Sequence, residues 1–183
     1  MRLLGIAVLL STLLVAAPAA AQTEIEDYAS YDPSSRCHEK ARQGTNYLAR
    51  WMVRRYGGGF GGTGRDCQRR ATSEHHSGRA FDWTLNAGRD ADRKRAKAFM
   101  TRIFRTDGHG NTDAWARRMG VMYVIWNDQM YPAWDRFRPE RYLSSSCDTR
   151  KKCSKTNRHR DHLHISLSKK GARGATSWYD GRL

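Results

Sequence analysis

The chain has no hydrophobic run of the ~20 residues that a membrane-crossing helix needs. Its one long apolar stretch, residues 3–17 of "MRLLGIAVLLSTLLVAAPAAAQ", is shorter, follows a charged Arg2 and ends in small residues. That is the pattern of a secretory signal peptide, residues 1–21, with cleavage after Ala21 and a small-x-small match at Ala19 and Ala21. No stable membrane span is expected, and the mature protein begins at Gln22, exported to the periplasm or beyond. The cysteines include no C-x-x-C pair, so a cysteine zinc site is disfavoured. The glycine-rich "YGGGFGGTG" lacks a G-K-[ST] ending and follows a helical pattern, which makes it a flexible connector over residues 57–64 rather than a phosphate loop. Neither an internal repeat nor a base-reading module is present. Nucleic acid is therefore not the expected partner, although a metal-dependent nuclease stays as a third reading.

Acidic residues are scarce too. Eighteen Asp and Glu stand against 33 Lys and Arg, a formal charge of +15. Such a balance speaks about partners rather than fold, and draws the protein to anionic polymers such as bacterial wall. Length allows one ordinary domain with its own core, taken as residues 37–183 and as a monomer, preceded by an extended, poorly packed entry over residues 22–36.

Four cysteines behind an export signal imply two disulfides among Cys37, Cys67, Cys147 and Cys153. Three pairings are possible, and the simplest joins sequence neighbours. A loop of about thirty residues closed by Cys37 and Cys67 would restrict the unfolded chain by roughly 3–4 kcal/mol and tether the segment after Cys67.

Leu48, Trp51, Met52 and Tyr56 recur at helical spacing and predict a helix over residues 39–56. "GRAFDW" predicts a short strand. "DADRKRAKAFMTRIFRTDG" predicts a helix with Phe99, Met100, Ile103 and Phe104 on one face. "NTDAWARRMG" predicts another, capped by Thr112 and ended by Gly120. The continuous apolar run of residues 121–126 predicts a strand buried on both faces, and "HLHISLS" alternates as a strand should. The fold class is α+β: a small antiparallel or mixed sheet with helices packed on one face.

In "RDHLHIS", His162 and His164 share a strand face. His75 and Asp82 in "SEHHSGRAFDW" add an imidazole and a carboxylate, and a downstream histidine would complete three ligands with a fourth position open. That donor set suits catalytic zinc better than magnesium or calcium. His76 is expected to face solvent, as are His38, His109 and His159. Trp126, Tyr131 and Trp134 are candidate platforms for sugar or peptide, or simply packed aromatics.

"S-E-H-H-S-G-R-A-F-D" resembles the S-x-H-x-x-G-x-A-x-D signature of the zinc D-Ala-D-Ala carboxypeptidase and dipeptidase superfamily, which shares its fold with the Hedgehog signalling domain. "D-H-L-H" resembles that superfamily's acid-x-x-histidine motif, with aspartate in place of glutamate. Together with "TDGHGN" and "ARRMGVMYVIWN", these motifs are similar to secreted bacterial peptidase-like domains across residues 37–178. The resemblance implies a Hedgehog/D,D-peptidase-like fold with Zn2+ held by His75, Asp82 and His164. It further implies Asp161 as general base, Ser73 orienting a ligand or substrate group, and His162 assisting or stabilising the oxyanion. Arg65 and Arg79 are candidates for the arginine that polarises the scissile carbonyl. The function implied is a secreted metallopeptidase acting on peptidoglycan or its peptide fragments. The alternative is a non-catalytic, zinc-stabilised wall-binding domain.

Overall fold

The computed structural model describes residues 25–67 and 73–183, so the signal segment expected at residues 1–21 lies outside them. The fold is α+β. In chain order the elements are α1 (Gln43–Tyr56), β1 (Gly59–Gly62), β2 (Ala80–Thr84), α2 (Asp90–Ile103), α3 (Ala114–Met119), β3 (Val121–Trp126), β4 (Gln129–Pro132), β5 (Glu140–Arg141), β6 (His162–Leu167) and α4 (Lys169–Arg173). The strands form one antiparallel sheet in the order β1-β2-β6-β3-β4-β5. β6, late in the sequence, is inserted between β2 and β3. Its register sets His164 opposite Asp82 on one side and Ile125 on the other.

Period-two alternation gives the sheet two distinct faces. Phe81 and Trp83 of β2, Val124 and Trp126 of β3, and Leu163, Ile165 and Leu167 of β6 join one core with Leu48 and Met52 of α1, Phe99 and Ile103 of α2, and Met119 of α3. Removing such large side chains from water stabilises by about 1.5–3 kcal/mol each, which fixes the helices to this face. The opposite face carries Asp82, His162, His164 and Ser166, with Met122, Tyr123 and Ile125 in a smaller cluster. His162 and His164 thus sit on the face that the helices leave open.

Several local expectations are corrected. α1 begins at Gln43 rather than 39. The glycine stretch is not a mere connector, because Gly59–Gly62 pairs with β2 as an edge strand. Glycine disfavours strands by propensity, but here the flat approach requires it. A Cβ at Gly58, whose φ is 83°, would lie 2.5 Å from Trp83 Nε1, and one at Gly61 would lie 2.8 Å from the Asp82 carbonyl oxygen. Asp113, not Thr112, precedes α3, and Thr112 Oγ1 instead hydrogen-bonds Tyr28 at 2.7 Å; Gly120 does close the helix at φ 68°. The β3–β4 hairpin turns through Asn127 and Asp128, both with positive φ, as two-residue hairpins favour.

Residues 25–36 form no helix or strand, yet they pack. Tyr28 donates to Asp113 at 2.6 Å and contacts the Phe137 ring, Glu26 accepts from the Ser177 amide and hydroxyl, and the Asp32 carbonyl accepts from Arg79 at 2.6 Å. The poorly packed entry is therefore a strap across the domain. Cys37–Cys67 and Cys147–Cys153 are the disulfides, the sequence-neighbour pairing. No helix among the described residues is long and apolar enough to cross a membrane.

Candidate metal centre

A short 3₁₀ turn, Glu74–Ser77, carries the first histidine into the open face. Ser73 precedes it and its hydroxyl accepts from the His75 amide at 3.4 Å; Gly78 ends it at φ 68°. A side chain at Gly78 would run into the Lys40 carbonyl, so the glycine of the signature is there for close approach as well as for its positive φ. The first disulfide steadies this turn through the neighbours of its two cysteines. The His38 amide donates to the His76 carbonyl at 2.5 Å, and His76 Nδ1 donates to the Asp66 carbonyl at 2.7 Å. His76 does point away from the centre, but into the protein rather than into solvent: it is buried.

Three donor atoms converge where β2, β6 and the turn meet. His75 Nε2 lies 3.1 Å from Asp82 Oδ1 and 3.2 Å from His164 Nδ1, and the latter two are 3.0 Å apart. A tetrahedral ion with bonds of about 2.0–2.1 Å has donor–donor edges of about 3.3 Å, so this triangle matches one face of such a site. The group can hold a metal ion, and its two nitrogens and one oxygen are a donor set that zinc accepts readily. The outer nitrogen of His164, Nε2, hydrogen-bonds Ser166 Oγ at 2.9 Å, which presents Nδ1 to the centre.

Burial pushes the His75 imidazole down to about 4, against the opposing pull of the Asp82 hydrogen bond. Burial works to raise the Asp82 carboxyl, but hydrogen bonds from His164 and His75 outweigh it and hold it far below the ordinary carboxylate range. Both ligands thus stay free of the protons that compete with a metal.

His162 completes the rim. Its Nε2 is 3.6 Å from Asp82 Oδ1, while its Nδ1 donates to Asp161 Oδ1 at 2.7 Å. Asp161 Oδ2 accepts from Thr156 Oγ1 at 2.5 Å. Both Asp161 oxygens therefore accept a hydrogen bond, and Asp161, expected as the general base, does not line the cavity over the donor triangle as His162 does. Its carboxyl lies below the usual range: burial raises it, and the Thr156 and His162 hydrogen bonds more than offset that.

A cavity of about 390 Å³ opens over the centre, lined among others by Tyr31, Arg65, Ser73, Glu74, Tyr142 and His159. Arg65 Nη2 is 3.4 Å from Asp82 Oδ2, which brings one of the two candidate arginines to the site. Arg79 is elsewhere, buried and held by Ser77, the Leu167 carbonyl and Asp32. Trp126 and Tyr131 are corrected as substrate platforms. Trp126 shares a face with Val124, and Tyr131 pairs with Val124 in the register, so both rings enter the helix-side core, Tyr131 stacking on Phe104. Trp134 does lie near the site, half exposed, with Tyr31 and Tyr123 against its ring.

The family model "VldE, C-terminal domain" matches residues 37–152, more than half of the chain. The chain belongs to this VldE C-terminal domain family. The matched span holds His75 and Asp82, while β6 with His162 and His164 follows it. No curated protein and no solved structure matches the chain.

Three residues of the site escaped the sequence. His159, expected at the surface, has its ring 4.7 Å from that of His162 and 5.6 Å from that of His164, and burial pushes its imidazole down to about 3. It is held by the hairpin tip: the Asn127 amide donates to the His159 carbonyl at 2.7 Å, and Arg158 grips both Asp128 oxygens at 2.8 Å. Glu74 is buried, accepts at Oε2 from the Tyr123 hydroxyl, and leaves Oε1 without a partner among the described residues. Tyr123 stacks on His164 at 5.6 Å. His164 is thus braced twice: its outer nitrogen bonds Ser166, and the Tyr123 ring stacked on it is held by the Glu74 carboxyl. The charged residue beside the S-x-H signature and the tyrosine amid apolar neighbours in "VMYVIW" were the only signals in the sequence.

Proposed function

We propose that this chain is an exported zinc peptidase that hydrolyses amide bonds in peptidoglycan stem peptides or their cross-links. The observation that carries the reading is the triangle of His75, Asp82 and His164 under an open cavity with His162 Nε2 at its rim. The motif resemblance to the zinc D-Ala-D-Ala carboxypeptidases supports the reaction class, and the cationic surface supports an anionic wall as the place of work.

The chemistry that zinc supplies when bound is a polarised scissile carbonyl and a water acidified to a pKa of about 7. His162 does the proton work. Asp161 accepts from Nδ1, so Nε2 is the free acceptor, facing the centre. It takes the proton of the attacking water and returns it to the departing amine, the role first expected of Asp161. Arg65, its side chain half exposed at the cavity wall, turns from Asp82 to donate to the developing oxyanion. Tyr31 and Trp134, exposed and 5.4 Å apart, offer apolar faces to the substrate next to the centre.

Incubating the zinc-loaded mature protein with defined muropeptides and weighing the products tests this. Cleavage that stops on chelation and falls by about 100-fold or more in His162→Ala, with zinc retained, supports it. The engagement of both Asp161 oxygens favours one rival, a zinc-stabilised domain without catalysis. Absence of any product from the fully loaded wild type, with chelator lowering its melting temperature, would establish that rival instead.

A further inference from the structure

Beyond the metal centre, a second concavity is built almost wholly from cations. It has a volume of about 340 Å³ and lies where the strap, α1 and α4 meet the end of the 3₁₀ turn. Arg36, Arg42, Arg79, Lys169 and Arg173 line it, with the hydroxyls of Ser35 and Ser77 between them. A carboxylate, Asp32, pairs with two of these cations: Oδ1 is 3.1 Å from Lys169 Nζ and Oδ2 is 3.6 Å from Arg79 Nη1.

The three remaining guanidiniums are under-used. Arg42 makes a single long contact, Nε to the Ser77 carbonyl at 3.4 Å, and Arg36 and Arg173 have no partner among the described residues. Five cations around one hollow repel each other, and Asp32 offsets only part of that. Nor is the hollow a chance splay of surface side chains. Arg79 at its floor is buried, and its three hydrogen bonds, to Ser77, Leu167 and Asp32, lock its position.

We propose that this cleft is a binding site for a phosphate group carried on a larger molecule, separate from the metal centre. Guanidiniums present paired N–H donors that match phosphate oxygens, and several arginines converging on one point favour a compact, multiply charged anion over a carboxylate. The hollow exceeds the size of a lone phosphate and leaves room for what the phosphate is attached to. Ser77 and His75 stand on the same turn, yet the cleft and the cavity over the centre have no lining residue in common.

Titration calorimetry on the metal-free full-length protein at low ionic strength tests the proposal without depending on peptidase activity. The probes are inorganic phosphate, glycerol phosphate and an oligomeric glycerol phosphodiester, with acetate and citrate as carboxylate controls. Saturable one-to-one binding of a phosphate probe is expected, weakened about tenfold or more in Arg42→Gln/Arg173→Gln. Arg50→Gln/Arg54→Gln, which removes the same charge from the exposed side of α1, should leave it unchanged. The ester and diester arms tell a free phosphate ester from a polymer as the source. Unsaturable binding, an equal loss in the α1 control, or tighter binding of citrate than of any phosphate would overturn the assignment.

Discussion

Acidifying the metal-free protein should unfold it in two separable stages. His75 titrates near 6.5 when unfolded and at about 4 when folded, because burial penalises its charged form. The unfolded chain therefore binds the extra proton throughout that interval, and stability falls as pH drops through it. The stabilisation is fully present above pH 6.5 and is lost by about pH 4. At 1.36 kcal/mol per pH unit for one proton, the interval corresponds to about 3 kcal/mol, an appreciable part of the 5–15 kcal/mol of an ordinary domain. His159 acts in the same direction, down to about pH 3. Asp82 enters later: its folded carboxyl lies far below the ordinary range, so its stabilisation is present above about pH 4 and disappears only under stronger acid. Urea unfolding in chelator, followed by tryptophan fluorescence at half-unit steps from pH 7.5 to 3.5, reads the slope directly. His75→Gln should roughly halve the slope between pH 6.5 and 4, His159 supplying the remainder, while keeping the fall below 4. A wild-type curve that is level across this interval, or a His75→Gln curve parallel to it, would refute the argument that burial of this ring governs acid sensitivity.

Glu74→Gln should weaken zinc affinity by about 10–100-fold in a chelator competition, because it removes the buried carboxylate that holds Tyr123 against His164; Ser166→Ala, which removes the partner of the outer nitrogen of His164, should do the same with the charge retained. Gly171→Ala should cost about 1–3 kcal/mol in chemical unfolding, since its Cβ would meet the Met119 carbonyl oxygen at 2.6 Å and push α4 off α3. Replacing Cys37 and Cys67 by serine should lower stability by roughly 3–4 kcal/mol and also reduce zinc affinity, because the loop that fixes His76 and hence His75 is released. Trp126→Leu should lower the melting temperature with the KM for muropeptides unchanged, whereas Trp134→Ala should raise KM with the melting temperature unchanged.

Much of this protein is written in local pattern. The periodicities of α1 and α2, the apolar run of β3 and the alternation of β6 each declare an element by the face it must bury, since side-chain period follows directly from backbone geometry. His75 and Asp82 were legible as donors on a turn and a strand, whereas the choice of His164 over His162 as the third came from the motif resemblance. Tertiary structure decided the rest. Trp126 and Tyr131 fit a substrate platform as well as a packed core until the sheet register assigns them to the helix side. Asp161 looks like a base until Thr156 and His162 occupy its oxygens. His159 and Glu74 become part of the site only because β6 inserts between β2 and β3 and the hairpin tip grips the loop before it. Apart from the Asp161 hydrogen bonds, which are local, such contacts join residues tens of positions apart, and burial, which sets both their chemistry and their protonation, is a property of the packed domain rather than of any stretch of chain.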